Sequence, residues 1–199
     1  MRIIAGTKRG MKLSCPKTYD TRPITDRVKE SLFSVLANYN LLDAARVADL
    51  FCGVGSLGLE ALSRGAAFVT FVEKGPEIAV FLEKNIAKAG FVRESKVIRA
   101  GAFRVGAPTG GAMKKYDLVF VDPPYAATRE VGAQSSLGRL LDILREQVAE
   151  RGVVVVRTAR AVTLLDRYGT FSAADRRQWG TMSVTLLQAG AHDEPTSGH

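Results

Sequence analysis

Two residue types with rich chemistry are nearly missing from this 199-residue chain, which has two cysteines, Cys15 and Cys52, and two histidines, His192 and His199. Two cysteines are too few for a disulfide framework or a cysteine zinc site. Both histidines lie in the polar C-terminal stretch, so a histidine general base is not expected, and no metal is expected. Long apolar runs are missing too: none approaches the roughly 18 residues that a membrane-spanning helix needs. The opening Met1-Arg2-Ile3-Ile4-Ala5-Gly6 lacks the long apolar region followed by small residues that marks a signal peptide. A cytoplasmic protein without a membrane partner is the expectation. There are no internal repeats and no low-complexity tracts.

What remains is ordinary for a globular domain with a substantial core, with 46% hydrophobic and 24% charged residues. The charge balance is less ordinary. A net charge of +8 and a pI near 9.7 suit either solubility or a polyanionic partner. The placement favours the partner. Residues 1–30 carry Arg2, Lys8, Arg9, Lys12, Lys17, Arg22, Arg27 and Lys29 against Asp20, Asp26 and Glu30.

Ile3–Gly6 and Met11–Ser14 flank a glycine-containing turn and predict a basic β-hairpin. Thr25 suits a helix N-cap, and the spacing of Val28, Leu32, Val35 and Leu36 predicts a helix over 26–38. From residue 46 the pattern becomes alternating strands and helices. Strands are expected at 46–51, 68–72, 96–99, 116–121 and 152–157. Helices are expected at 57–64, 76–89 and 137–148, with a Gly/Pro loop over 106–111. Two last strands, 170–171 with 176–179 and then 182–187, form an antiparallel pair at one edge. The expected fold is α/β and Rossmann-like: a seven-stranded, mostly parallel sheet with helices on both faces, plus the N-terminal hairpin. The implied division is an arm over 1–21, a catalytic domain over 22–189 and a flexible tail over 190–199.

Two stretches carry chemistry. The first, Asp49-Leu50-Phe51-Cys52-Gly53-Val54-Gly55-Ser56-Leu57-Gly58, joins the first strand to its helix. Glycines there let the backbone approach a ligand, although a plain tight turn would use them equally well. Glu73 adds context: a carboxylate ending the second strand can accept both hydroxyls of a ribose. A dinucleotide would need amides around a pyrophosphate, whereas this loop opens with an acid. Asp49 suits the ammonium of a methionyl group, so S-adenosylmethionine is the expected cofactor. Cys52 in this loop reads as a small apolar filler.

The second stretch, Asp122-Pro123-Pro124-Tyr125, closes the fourth strand, which in this sheet order ends beside the first. A rigid turn alone would account for the prolines. A carboxylate and a backbone carbonyl held by that turn would also accept both hydrogens of an exocyclic amine, and Tyr125 offers a face for an extruded base. Trp179 reads as a core or rim aromatic, with RNA contact as the alternative.

With these residues in place, the chain resembles class I S-adenosylmethionine-dependent methyltransferases acting on amino groups, and most closely the bacterial small-subunit ribosomal RNA guanine-N2 methyltransferases. The resemblance runs over about residues 2–187. It includes Arg2–Gly6, the segment Arg22-Pro23-Ile24-Thr25-Asp26-Arg27-Val28-Lys29-Glu30-Ser31-Leu32-Phe33, Leu57–Ala66 and the Asp-Pro-Pro-Tyr motif. It implies methylation of one guanine N2 in small-subunit ribosomal RNA, free or in the assembled subunit, by a monomer. It implies catalytic roles for Asp122, Pro123, Pro124 and Tyr125. Cofactor contacts are implied for Thr25, Asp49, Phe51, Gly53, Gly55, Glu73, Lys74, Gly101, Ala102 and Asp122. RNA contacts are implied for Arg2, Lys8, Arg9, Arg22 and Arg27, with Arg22, Thr25 and Arg27 at the mouth of the site. Two departures stand out. Ala100-Gly101-Ala102 lacks the acid that relatives carry after the third strand, and Arg157 ends the fifth strand where the resemblance implies an acid. The competing functions are a DNA adenine-N6 methyltransferase, for which there is no room for a recognition region, and a non-catalytic RNA-binding assembly factor. A nicotinamide oxidoreductase is disfavoured by Asp49 and the Asp-Pro-Pro-Tyr motif.

Overall fold

The computed structural model describes residues 1–16, 24–109 and 114–190. Arg22, the end of the arm, the end of the 106–111 loop and the 191–199 tail lie outside them. The elements run α1 (Asp26–Asn38), β1 (Arg46–Leu50), α2 (Ser56–Ser63), β2 (Phe68–Glu73), α3 (Pro76–Ala89), β3 (Ser95–Arg99), α4 (Ala102–Val105), β4 (Tyr116–Val121), α5 (Ser136–Leu144), β5 (Val148–Ala159), β6 (Arg167–Tyr168), β7 (Phe171–Trp179) and β8 (Met182–Ala189). They form one sheet in the order β3-β2-β1-β4-β5-β8-β7-β6. The pairs from β3 to β5 are parallel, and those from β5 to β6 are antiparallel.

The strands nearest the middle are apolar because both their faces are covered. Val47, Phe71, Leu118, Phe120 and Val155 pack on one side with α1, α2, α3 and the N-terminal segment. Leu50, Val72, Val119, Val121 and Val156 pack on the other with Leu137, Leu140, Leu141 and Leu144 of α5.

Four expectations change in detail. The sheet has eight strands, because the two-residue β6 adds to the seven expected. The helix expected over 137–148 stops at Leu144, and Val148 already belongs to β5. Gln147 intervenes: its carbonyl accepts from Tyr116 N (2.9 Å), and its side chain accepts from Ala107 N and donates to the Val105 carbonyl. The pieces expected at 170–171 and 176–179 are one strand with a bulge between Ala173 and Asp175.

The N-terminal hairpin is shorter than expected. A single bridge, Arg2 with Lys12, is extended by bonds from Ile3 N to Met11 O and from Gly10 N to Ile3 O. The segment leaves the pairing at Ile4 because Glu60 takes its amides: Ile4 N donates to Glu60 Oε2 (2.7 Å) and Ala5 N to Oε1 (3.0 Å). Lys29, also buried, lies 3.4 Å from Glu60 and donates to the Arg2 carbonyl and to Ser56. Ile3 is fully buried in the same core as α1 and α2.

Candidate active site

The strand registers bring the chemistry to one edge of the sheet. Leu50 pairs with Val72 on one side and Val121 on the other, and Val121 pairs with Val156. One step further along each strand stand Phe51, Glu73, Asp122 and Arg157, all at carboxyl ends, where open α/β sheets bind ligands. They line a cavity of about 660 Å³ together with Asp49, Lys74, Gly101, Ala102, Pro123, Pro124 and Tyr125.

Asp49 is 1% exposed. Its Oδ2 accepts from Gly58 N at 2.8 Å, while its Oδ1 has no hydrogen-bond partner among the described residues. Burial pushes its carboxyl up to about 8, reinforced by the charges of Asp122 and Glu73 and opposed by the Gly58 amide. Ionisation of this carboxyl is favoured only by a cation brought against its free oxygen. Glu73 accepts from Gly75 N (2.7 Å) and Gly53 N (3.1 Å), leaving one further lone pair on each oxygen. A Cβ at Gly101 would meet nothing within 4 Å, so glycine at this position of the cavity lining is not required by close packing.

The loop after β1 is strained where it borders the cavity. Phe51 has a φ of 58°, in the left-handed region that a non-glycine residue enters at a cost of about 1–3 kcal/mol. That turn sets its ring edge-on to Phe103, with centroids 4.8 Å apart. Gly55, at φ 89°, opens α2, and a Cβ there would stand 2.6 Å from Leu82.

Arg157 is the residue that sequence reasoning left unexplained. Its Nε lies 2.5 Å from Asp122 Oδ1, an ion pair between a side chain 15% exposed and one 19% exposed. Arg157 thereby supplies Asp122 with a cationic partner in the lining of the cavity. Its guanidinium also lies 6.0 Å from the Tyr125 ring centroid. Burial raises the Asp122 carboxyl to about 6, and Arg157 opposes that rise. The signal was available: in a doubly wound sheet the ends of the fourth and fifth strands are neighbours, so a cation ending one belongs beside an acid ending the other.

Other predicted residues lie off the cavity wall. Gly53 and Gly55 shape the loop. Thr25 caps α1, accepting from Val28 N at 3.4 Å, while its neighbour Ile24 reaches the cavity. Arg27 is exposed on α1, Arg2 pairs with Asp26 at 2.7 Å, and Lys8 and Arg9 sit on the N-terminal turn. Met1, Ile78 and Phe103 line the cavity without having been anticipated. Cys52 is buried, with its thiol pushed well up by burial, as befits a filler. Trp179 packs partly against the core.

A family model described as conserved hypothetical protein 95 matches residues 1–188. The chain belongs to this family of S-adenosylmethionine-dependent rRNA methyltransferases. Among its relatives is YlbH of Bacillus subtilis (strain 168), provisionally named an rRNA methyltransferase. It is 31% identical over 190 residues, 94% of this chain and 98% of that one. Ribosomal RNA small subunit methyltransferase D of Escherichia coli (strain K12) is 42% identical over 127 residues, 63% of this chain and 60% of that one. A solved Escherichia coli chain, yhhF, provisionally named a methyltransferase, superposes with a TM-score of 0.79 at 30% identity, over 96% of this chain and 98% of that one. The fold is that of class I methyltransferases and the cofactor is S-adenosylmethionine. The unpartnered Asp49 oxygen and the carboxylate of Glu73 are chemically suited to the ammonium and to the ribose hydroxyls of that molecule.

Proposed function

We propose that this chain methylates the exocyclic N2 of a guanine in small-subunit ribosomal RNA. The observation that carries the reading is a single cavity lined both by Asp49 and Glu73 and by Asp122, Pro123, Pro124 and Tyr125. The names of the relatives support the RNA substrate.

Asp49 would hold the ammonium of the cofactor and Glu73 its ribose. Phe51, Lys74, Gly101 and Ala102 would complete the cofactor's part of the lining, with Gly53 and Gly55 setting the loop and Thr25 fixing the start of α1. S-adenosylmethionine, when bound, supplies a methyl group activated by a positive sulfur.

A guanine N2 is a poor nucleophile because its lone pair is delocalised into the ring. Asp122 and the Pro123 carbonyl accept its two hydrogens and favour the pyramidal nitrogen that attacks. Pro124 limits movement of the loop that carries them, and Tyr125 stacks on the extruded base, an interaction worth about 1–3 kcal/mol. Asp122 would also receive the proton that the nitrogen gives up once it is methylated. Arg157 acts as a positioning residue, keeping Asp122 ionised and aligned.

Replacing Asp122 with Ala is the test of these roles. Turnover should fall by at least about 10²-fold, while S-adenosylhomocysteine binding by calorimetry stays within a few-fold of the parent. Undiminished turnover in that variant would remove Asp122 from the mechanism.

A further inference from the structure

The helix that begins at the active site ends in a cluster of cations. Ile78, in the first turn of α3, lines the cavity, and the helix runs to Ala89 at the opposite edge of the parallel strands. Lys84 and Lys88 are exposed on its second half, four residues apart and therefore on one face. The N-terminal turn meets that end. Lys88 Nζ donates to the Lys12 carbonyl at 2.8 Å, and Lys8 Nζ lies 5.7 Å from the Phe91 ring centroid, just past the end of α3. Asn85, between the two lysines, donates to the Ser14 carbonyl and accepts from Ser14 N.

Lys8, Lys12, Lys84 and Lys88 thus share the surface where α3 and the N-terminal turn meet, Arg9 follows Lys8 on that turn, and none of the five forms an ion pair among the described residues. Glu83, the acid next to Lys84, is engaged by Arg99 at 2.7 Å instead. Like charges one turn apart repel, and a second basic segment laid against them adds to that repulsion. A polyanion removes it.

We propose that this surface, made by α3 and the N-terminal turn together, binds the phosphate backbone of the RNA substrate at a distance from the target base. The inference rests on the RNA substrate proposed above and extends it. Lys88 is ten residues past Ile78, which places it about 15 Å along the helix from the cavity. Phosphates held there therefore belong to nucleotides other than the one being methylated. Such contacts position the RNA without reading its sequence.

The test is RNA binding as a function of salt, with a small-subunit ribosomal RNA transcript as the probe. The proteins are the full chain, the double variant Lys84→Ala/Lys88→Ala and the charge-keeping Lys84→Arg/Lys88→Arg. Each lost phosphate contact lowers the steepness of log affinity against log salt by about one. The alanine pair should flatten it by about two, which near 0.1 M salt amounts to a weakening on the order of tens- to a hundredfold. The arginine pair should keep the parent slope, and S-adenosylhomocysteine affinity should be unchanged in all three. An alanine variant with the parent's slope and affinity would overturn the surface and leave the methyltransferase reading intact. A parent protein that binds S-adenosylhomocysteine but neither the transcript nor unmodified small ribosomal subunits would overturn both.

Discussion

Asp49 and Asp122 carry the same carboxyl group and are pushed to different ends of the neutral range by their neighbours. Asp122 has Arg157 beside it and rises only to about 6, mainly by burial. As an acceptor it works ionised, so turnover should climb with pH around a midpoint near 6 and then level off. Replacing Arg157 with Leu removes the opposing charge and should move that limb to higher pH, which a pH profile of turnover would register. Asp49 has no cation and rises to about 8. Its unfolded value is near 3.9, so its contribution to stability is present in acid and is lost as pH rises from about 4 through about 8. Asp49→Asn should flatten the fall in thermal midpoint across that window and abolish the gain in S-adenosylhomocysteine affinity expected of the parent between pH 6 and pH 8, which calorimetry at the two pH values checks. At this scale the acids were legible in sequence because strand ends and a glycine loop announce them. Arg157 was visible as a residue but not as a partner, because its meaning depends on which strand lies beside β5.

Among elements, the N-terminal segment is held by a buried charge network and not by hairpin pairing. Glu60 is fully buried and meets Lys29, Arg64 and the amides of Ile4 and Ala5. Glu60→Ala takes from the Lys29 ammonium, 1% exposed, the carboxylate it touches and leaves only Asp26 as an opposite charge acting on it, and should cost about 3–5 kcal/mol in urea unfolding. Helix α2 is fixed just as closely at its other end. A Cβ on Gly58 would enter the Phe71 ring and Val69, so Gly58→Ala should cost about 1–3 kcal/mol and displace the amide that Asp49 accepts from. The alternation of strands and helices was readable because apolar runs and helical spacing are local. The early end of α5 was not, since Gln147 is claimed by Tyr116, Val105 and Ala107, three residues distant in sequence. The short hairpin escaped for the same reason: Glu60, 56 residues away from Ile4, decides where pairing stops.

For the whole molecule, the sheet order gathers at one edge groups drawn from every part of the chain between residues 49 and 157, and α3 carries the basic surface away from that edge. The excess of positive charge suits the RNA substrates of the family, and the proposed role of Asp122 and Pro123 would narrow the target to an exocyclic amine. No helix among the described residues is long and apolar enough to cross a membrane. The most direct measurement is a transfer assay with labelled S-adenosylmethionine on unmodified small ribosomal subunits, naked ribosomal RNA and duplex DNA, with the labelled nucleoside identified by mass. N2-methylguanosine from ribosomal RNA is the predicted product. Label confined to adenine in DNA, or label in no substrate, would contradict it.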